Sequence, residues 1–301
     1  MPMILDTNLP LPLFGRGKVR DTYDLDNKLL IIATDRVSAF DVVLPDAIPD
    51  KGLVLNQISN FWFRKTSHIM YNHLIKSVET AETLRGYLPD KFIKPELLVG
   101  RSMITLKAEL VPVECVVRGY LAGSAWAEYE ETGTISGIRL PEGLEQSQEL
   151  PEPLFTPTTK ATIEHDTPLA KKEFEKLVGK AIARDLEEKS LAIYEYGRKY
   201  AKSRGIIIAD TKFEFGIIDS KLILIDELMT PDSSRFWSID QYRVGHSQPS
   251  FDKQPIRDWL EGSGWNKQPP APHLPQEIIA QTSERYKAVY KKLVGEELHK
   301  V

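Results

Sequence analysis

Three charged residues recur at every second position in the segment RGIIIADTKFEFG, residues 204–216. They are Asp210, Lys212 and Glu214, and they follow directly on the apolar run IIIA. Because side chains on a β-strand alternate between its two faces, the three charges should share one face. A half-exposed strand with salt bridges along it is one interpretation. Apolar residues on both faces of the same strand favour burial instead, where unpaired charges are costly, and therefore favour a functional site.

A second apolar run that ends in acids, LILIDE, follows at residues 222–227 and predicts a β-hairpin with the first. If the turn near residues 219–221 has an odd number of residues, Glu214 should lie directly opposite Asp226 on the same face. Two neighbouring carboxylates repel unless a cation lies between them. Mg²⁺ commonly takes one or two carboxylates and completes its shell with water and phosphate oxygens. The pattern therefore predicts a Mg²⁺ site, with Lys212 nearby to hold a substrate carboxylate or phosphate.

The segment FGRGKVRDTY could contact a phosphate group. Gly15 and Gly17 precede a predicted strand and would let backbone N–H groups approach a phosphate, with Lys18 and Arg20 on one strand face. The glycine spacing matches neither the Walker A motif nor the dinucleotide fingerprint. A plain β-turn is the commoner explanation of such glycines. The segment also resembles the glycine-rich flap over ATP in kinase-like and ATP-grasp-like enzymes.

A third segment, LVPVECVVRGYLAGS, begins as a strand and ends in a glycine turn. Alternation places Glu114 and Arg118 on one face and Cys115 on the other, where the thiol is predicted to be a core residue. An arginine with Ser124 close behind it suits a phosphomonoester. An ion pair between Glu114 and Arg118 at a sheet edge is equally compatible with the pattern.

The composition narrows the class of protein. The chain has 301 residues, of which 42% are hydrophobic and 27% charged, with a net charge of -4 and one cysteine. These values are typical of globular proteins with a sizeable core, and they give no electrostatic case for nucleic acid or an anionic membrane. One cysteine excludes an internal disulfide framework, and we find no targeting segment. We therefore expect a cytoplasmic protein. A local basic pocket for small anionic ligands is compatible with this composition, which leaves open whether the chain is a monomer or a small homo-oligomer.

Predicted strands and long helices alternate without a regular βαβ rhythm, which favours a mixed α+β fold. A hairpin is predicted around residues 26–27, and helices over residues 53–70 and 276–294. A long helix should start at Thr167-Pro168 and end at Arg204-Gly205. Residues 145–160 have the composition of a surface loop. His165 should lie in the loop before the long helix, and the six histidines show no metal-ligand spacing.

Together these segments resemble the SAICAR synthetase family of de novo purine synthesis. LVPVECVVRGYLAGS and IIADTKFEFG resemble its two signature segments, and GRGKVRDTY, ATDRVSAFDVVLPDAIPDKGLVLNQISNFWF and IDELMTPDSSRFW resemble further segments in the same order. The resemblance covers residues 14–248 and is strongest to the longer form found in fungi and some bacteria. It implies two mixed α/β lobes with an ATP cleft between them, plus packed C-terminal helices. We accordingly expect an N-terminal lobe over 1–109, a central lobe over 110–263 and a helical tail over 264–301.

The resemblance also implies a reaction, in which ATP drives the joining of L-aspartate to the carboxylate of carboxyaminoimidazole ribonucleotide through an acyl phosphate. It implies Lys212, Glu214 and Asp226 as catalytic residues and the last two as Mg²⁺ ligands. The implied ATP-binding residues are Gly15, Gly17, Lys18, Arg20, Lys107, Glu109, Glu114 and Asp226. The implied substrate-binding residues are Arg36, Ser38, Asp41, Arg118, Ser124, Asp210, Lys212 and Arg235.

Two alternatives remain open from the sequence. One is another ATP-dependent carboxylate–amine ligase or a small-molecule kinase with the same acid pair. The other is a nucleotide-binding regulatory module without chemistry, although pure binding requires no acid pair that bridges a metal.

Overall fold

The computed structural model describes residues 2–88, 94–160 and 167–300. The first part of the chain is mostly strand, with one long helix. Its elements are β1 (Leu13–Arg16), β2 (Arg20–Leu25), β3 (Lys28–Ala33), β4 (Arg36–Ala39), β5 (Val42–Ala47), α1 (Lys51–Thr66), β6 (Leu74–Ser77) and β7 (Ser102–Leu106). The two-residue turn at Asp26-Asn27 joins β2 to β3, which confirms the first predicted hairpin.

The second part alternates long strands with helices. Its elements are β8 (Glu109–Leu110), β9 (Val113–Tyr120), α2 (Ser124–Thr132), β10 (Thr134–Ile135), β11 (Ile138–Arg139), β12 (Glu149–Phe155), β13 (Thr158–Thr159), α3 (Lys171–Val178), α4 (Lys180–Ser203), β14 (Ile206–Ile218), β15 (Lys221–Ile225), β16 (Ser234–Ser238), α5 (Gln254–Gly262) and α6 (Gln276–Val294). Helix α6 has the predicted bounds, and the mixture of elements confirms the α+β class.

The N-terminal sheet has the strand order β1-β2-β3-β7-β6, and its strands pair antiparallel. Side chains along its strands alternate between the two faces, so neighbouring residues can enter different apolar layers. Leu30 and Ile32 of β3 enter one apolar cluster with Ile104 of β7. Ile31 and Met103, which alternate with them, enter the main core instead. The sheet therefore lies between two apolar layers.

The larger sheet has seven strands and is organised around β14. Strand β14 pairs antiparallel with β9, β15, β16 and β8, and helix α4 packs against it. Strands β12 and β13 pair with β9. Residues from α1, α4 and α6 close the same main core, among them Trp62, Tyr194 and Tyr286. A 13-residue strand buried in this way can hold charged side chains at fixed positions.

Three local predictions differ from the structure. Residues 145–160 are not a plain surface loop, because β12 and β13 add to the sheet there and Leu150 is buried. The long helix begins at Lys171 rather than at Thr167, because Thr159 N donates to the carbonyl oxygen of Thr167 and keeps that segment extended. Gly179, with φ of 85°, then divides it into α3 and α4.

Two boundaries and one residue complete the comparison with the predictions. Helix α1 covers residues 51–66, four residues short of the predicted end. His165 lies outside the described residues.

The expected three-domain division stays a prediction, and one apolar cluster bears on it. Leu274 and Ile279 of the predicted tail pack with Val37 and Ile48 of the predicted N-terminal lobe.

Candidate active site

One face of β14 carries the charges that the sequence singled out. Phe213 and Phe215 enter the main core from one face, and Asp210, Lys212 and Glu214 lie on the other. Strand β9 runs beside them in antiparallel register from residue 115 to residue 118. The predicted period-2 arrangement is therefore confirmed. Each of the three charges has an oppositely charged partner from another part of the chain.

Asp210 lies between two arginines from the strands on either side of β14. Arg118 of β9 and Arg235 of β16 are its register partners, and both guanidinium groups contact its Oδ2, Arg118 Nη1 from 3.5 Å. Arg118 Nη2 also lies 3.4 Å from Ser124 Oγ at the start of α2. Two cations around one carboxylate leave a net positive charge, which suits an anionic ligand.

Gly123, just before α2, must be a glycine for this cluster to form. Its φ is 58°, and a Cβ at that position would overlap the Arg235 guanidinium. Burial lowers the pKa of Arg118. The negative charge of Asp210 opposes this decrease, and the positive charge of Arg235 adds to it. The guanidinium groups of Arg118 and Arg235 repel each other, and a dianionic group beside them would offset that repulsion.

Lys212 donates to Glu114 of β9, with Nζ 2.8 Å from Oε1. Burial alone would lower the pKa of Lys212, but Glu114, Glu214 and Asp226 together outweigh it and raise the pKa. The ammonium is therefore charged at neutral pH. Its hydrogen-bonded partner lies on the neighbouring strand, not among the acids of its own strand. The alternative ion pair between Glu114 and Arg118 does not form, because each is turned to a residue of β14.

The predicted register of the acid pair is wrong. Glu214 pairs with Ile225, because the turn has two residues, Asp219 and Ser220, both with positive φ. Such a turn suits the twist of a hairpin and shifts the register by one residue. Asp226 follows the end of β15 and has φ of 68°, which takes it out of the strand alternation.

The two carboxylates nevertheless come close enough to affect each other. Burial raises the pKa of Glu214 to about 7, and Asp226 adds to this, while Lys160 and Arg20 oppose it. Burial would also raise the pKa of Asp226, but Arg20 outweighs burial and the pKa is lowered. The acid pair is thus formed by a left-handed residue at the strand end rather than by facing strand positions.

Two cations already neutralise this pair. Arg20 of β2 lies 2.6 Å from Asp226 Oδ1 and 3.7 Å from Glu227. Lys160 Nζ contacts Glu214 Oε2. Sequence reasoning missed Lys160, because it lies in a stretch that reads as a loop and no periodic pattern includes it. A search of residues 2–88, 94–160 and 167–300 gives no cluster of three or more acidic, histidine or cysteine residues able to hold a metal. A metal held here would therefore depend on ligand phosphate oxygens as well.

The glycine-rich segment forms a β-hairpin, with β1 and β2 as its arms. Gly17 N donates to the carbonyl oxygen of Arg20 at 2.8 Å, and Lys18 Nζ contacts Asp41. A Cβ added to Gly15 would meet no atom within 4 Å, so the fold itself does not require a glycine there. The free space above the backbone is compatible with close approach of a phosphate.

Arg36, predicted to line the substrate site, is buried beneath this hairpin. Its guanidinium donates to the carbonyl oxygens of Lys18 and Gly17 at 3.2 and 3.0 Å and to Asp21 at 2.7 Å. These contacts hold the hairpin loop in place. Ser38, two residues further along β4, is also buried. A substrate contact for either residue stays a prediction.

Lys107 and Glu109, two of the predicted ATP-binding residues, lie where the chain passes from β7 of the N-terminal sheet to β8 of the larger sheet. Lys107 Nζ is 2.6 Å from Asp24 and 5.0 Å from the ring centre of Phe14 in β1. Glu109 is exposed in β8, opposite Ile217. Lys107 thus contacts a strand of the hairpin, and Glu109 pairs with the strand that carries Glu214. Contact of either residue with a nucleotide stays a prediction.

His73 is a buried neighbour of the acid pair that sequence reasoning also missed. Burial lowers its pKa to about 4, while Asp226 opposes this decrease and Arg20 adds to it. His73 N donates to the carbonyl oxygen of Leu224 at 2.9 Å, two residues before Asp226. The ring lies 5.1 Å from that of Phe63 in α1. The imidazole is therefore neutral and packs behind the end of β15.

Comparison with known proteins assigns the family. The model of the SAICAR synthetase family matches residues 13–272, most of the chain. The chain belongs to the SAICAR synthetase family. It is 53% identical over 296 residues to phosphoribosylaminoimidazole-succinocarboxamide synthase of Thermodesulfovibrio yellowstonii, with 97% of this chain and 99% of that one covered.

Solved structures of the SAICAR synthetase family have the same fold. SAICAR synthase of Saccharomyces cerevisiae, complexed with SAICAR, superposes with a TM-score of 0.89 at 44% identity, covering 98% of this chain and 99% of that one. A SAICAR synthetase in complex with ADP gives a TM-score of 0.69 at 25% identity, covering 94% and 98%. The chain is therefore an ATP-dependent ligase of purine biosynthesis. Among its described residues, no helix is both long and apolar enough to cross a membrane.

Proposed function

We propose that this chain joins L-aspartate to the carboxylate of carboxyaminoimidazole ribonucleotide, with ATP converted to ADP and phosphate. The observation that carries the proposal is the single charged face of β14. It runs from an arginine pair around Asp210, through Lys212, to Glu214, which Asp226 approaches from the end of β15. A ribonucleotide phosphate at one end and an ATP phosphate chain at the other would meet at Lys212.

We assign the acid pair and the β1–β2 hairpin to ATP. The donor set fits Mg²⁺, because Glu214 and Asp226 are two buried carboxylates close enough to repel each other, and a divalent cation would relieve that repulsion. Glu214 and Asp226 would hold the ion, which would neutralise charge on the phosphates when bound. Arg20 and Lys18 supply further positive charge, and Gly15 and Gly17 leave the backbone accessible. The homologue solved with ADP supports a nucleotide in this family.

We assign the arginine pair to the ribonucleotide phosphate. Arg118 and Arg235 are each tied to Asp210, and Ser124 Oγ lies beside Arg118 at the start of α2. A phosphomonoester there would receive charge-assisted hydrogen bonds from two guanidinium groups and one from a hydroxyl. The negative charge of the phosphate would also balance the positive charge that Arg118 and Arg235 carry in excess of Asp210.

Lys212 would then hold the imidazole carboxylate. The carboxylate oxygen attacks the γ-phosphorus of ATP, the bond to the β-phosphate oxygen breaks, and ADP leaves. The aspartate amine then attacks the acyl carbon, and the carbon–oxygen bond to phosphate breaks with loss of one amine proton. A carboxylate is a weak nucleophile, so its alignment by Lys212 should supply much of the rate. Glu114 keeps the lysine charged and pointed along the face.

A coupled assay of ADP release tests the proposal. With the purified chain, ADP should form only when the imidazole ribonucleotide and L-aspartate are both present, and the product should contain the new amide bond. ADP release with an unrelated acceptor in place of either substrate would contradict it. Omission of the divalent cation should stop turnover, and Mg²⁺ should restore it.

We further propose that the enzyme acts in the cytoplasm as a monomer or small homo-oligomer. A single buried cysteine, Cys115, gives the fold no need of an oxidising compartment. We also retain the division into lobes over 1–109 and 110–263 with a helical tail over 264–301 as a proposal. Limited proteolysis and sedimentation would test the division and the oligomeric state.

A further inference from the structure

A buried charge network lies between the proposed active site and the C-terminal helix. At its centre is Asp232, in the loop from β15 to β16, with a side chain only 4% exposed. Lys51 Nζ of α1 lies 2.7 Å from Asp232 Oδ2, and Tyr286 of α6 donates its hydroxyl to Oδ1 at 2.6 Å. Lys253, just before α5, lies 3.8 Å away. Four parts of the chain therefore meet at one carboxylate.

Asp232 is close in sequence to two of the proposed site residues. Asp226 lies six positions before it and Arg235 three positions after it. The carbonyl oxygen of Ser233 accepts a hydrogen bond from the backbone N of Lys212 at 3.0 Å. A shift of Asp232 would therefore move the backbone that supports Lys212 and Arg235.

Tyr286 is placed to fix the position of the loop between β15 and β16. It is fully buried in the main core, so its ring is fixed by packing, and burial raises its pKa, which keeps the hydroxyl protonated. A protonated hydroxyl gives Asp232 a donor without adding another charge. Burial would raise the pKa of Asp232, but Lys253 and Lys51 outweigh it and lower the pKa, so the acceptor is ionised. A hydrogen bond to a buried, ionised carboxylate is among the stronger ones.

We propose that Tyr286 is a positioning residue for the ligase reaction. Through Asp232, helix α6 fixes the loop between β15 and β16, and so sets the positions of Arg235 and Lys212 for the ribonucleotide. This inference rests on the residue assignments of the proposed function. Helix α6 would then contribute to substrate binding, although it is far in sequence from the charged face of β14.

Tyr286→Phe tests the proposal, because it removes only the hydroxyl and leaves the ring in the core. Tyr290→Phe is the matched control, one helical turn further along α6 and also buried. Kinetics are measured well below the melting temperature of each variant. We expect Tyr286→Phe to raise the KM of the ribonucleotide about tenfold, to change the KM of ATP less, and Tyr290→Phe to leave both unchanged.

A folded Tyr286→Phe with wild-type KM values for both substrates, and only a lowered melting temperature, would overturn the proposal. Asp232→Asn keeps the shape of the side chain and is the second variant, for the case in which loss of the hydroxyl prevents folding. It should show the same selective rise in the KM of the ribonucleotide, and an unchanged KM would likewise overturn the proposal. If wild-type protein released no ADP with the three substrates, the proposed function would fail instead, so the two failures are distinct.

Discussion

Arg20 in β2 reaches Asp226 across 206 residues of chain, with its guanidinium 2.6 and 2.7 Å from the carboxylate oxygens. This ion pair joins the N-terminal sheet to the end of β15 in the larger sheet. Both side chains are mostly buried, so neither charge has water as an easy alternative partner.

Arg20→Met should therefore destabilise the fold as well as impair nucleotide binding. Loss of one partner leaves a buried carboxylate unpaired, and we expect the free energy of unfolding to fall by about 3 kcal/mol. Arg85→Met, an exposed control, should change it by less than about 0.5 kcal/mol. Denaturant unfolding checks both. The double variant Arg20→Met/Asp226→Asn should recover part of the loss; strictly additive losses would contradict a direct pairing.

Lys160→Gln should strengthen the binding of a divalent cation to the free protein. Lys160 contacts Glu214 and would compete with a metal for the same carboxylate. Removing the ammonium leaves the acid pair with more uncompensated negative charge, which a cation relieves. Titration with Mn²⁺, followed by electron paramagnetic resonance, measures the affinity directly. Lys199→Gln on the exposed face of α4 is the control. Equal Mn²⁺ affinities in wild type, Lys160→Gln and Lys199→Gln would contradict the assignment of Glu214 as a metal ligand.

Arg118→Ala should weaken the ribonucleotide rather than ATP. The lost charge-assisted contact corresponds to about 1.5–3 kcal/mol, or a rise in KM of about tenfold to a hundredfold. The KM of ATP should stay nearly constant, because Arg118 lies at the Asp210 end of the charged face. Steady-state kinetics with each substrate varied in turn give both values. Comparable losses for ATP and ribonucleotide would count against a phosphate site at this end.

His73 should make the fold less stable in mild acid. Burial lowers its pKa in the folded state to about 4 from an ordinary 6.5. Between these values the unfolded chain binds more protons, so the free energy of unfolding falls as the pH drops from about 6.5 toward 4, by up to about 3 kcal/mol. Its neighbours Arg20 and Asp226 stay charged through most of that window.

Wild type and His73→Asn are compared by denaturant unfolding at about pH 7 and about pH 4.5. Other titrating groups cancel in the difference between the two proteins. The stability advantage of wild type should shrink at the lower pH. A difference that does not vary with pH would mean that the imidazole titrates normally.

Local patterns predicted the parts of the fold that local forces determine. The alternation of Asp210, Lys212 and Glu214 appeared in the sequence because strand geometry fixes it. Helix α6 was predicted over residues 276–294, and the structure has it there. The register of Glu214 was not predictable, because a turn of two or three residues fits the same sequence and changes which residue it faces.

Long-range contacts account for the rest of what the sequence did not reveal. Lys160 lies 54 residues from Glu214, and Tyr286 lies 54 residues from Asp232. No spacing rule links residues so far apart in the chain. Glu114 was recognised as a strand residue, but its pairing with Lys212 depends on which strands become neighbours. Resemblance to the family supplied the reaction and the residue set, and the fold supplied their partners.

The central claim is that Lys212 aligns the imidazole carboxylate, and kcat measured for Lys212→Met and Lys212→Arg beside their melting curves tests it most directly. Lys221→Met, at the exposed end of the hairpin, is the control. We predict that both variants fold, that Lys212→Met loses nearly all turnover, and that Lys212→Arg does not recover it, because the planar guanidinium cannot take the place of the ammonium. Substantial activity in Lys212→Arg would mean that residue 212 supplies only a positive charge and does not align the carboxylate. An active but less stable Lys212→Met would contradict the catalytic role of Lys212.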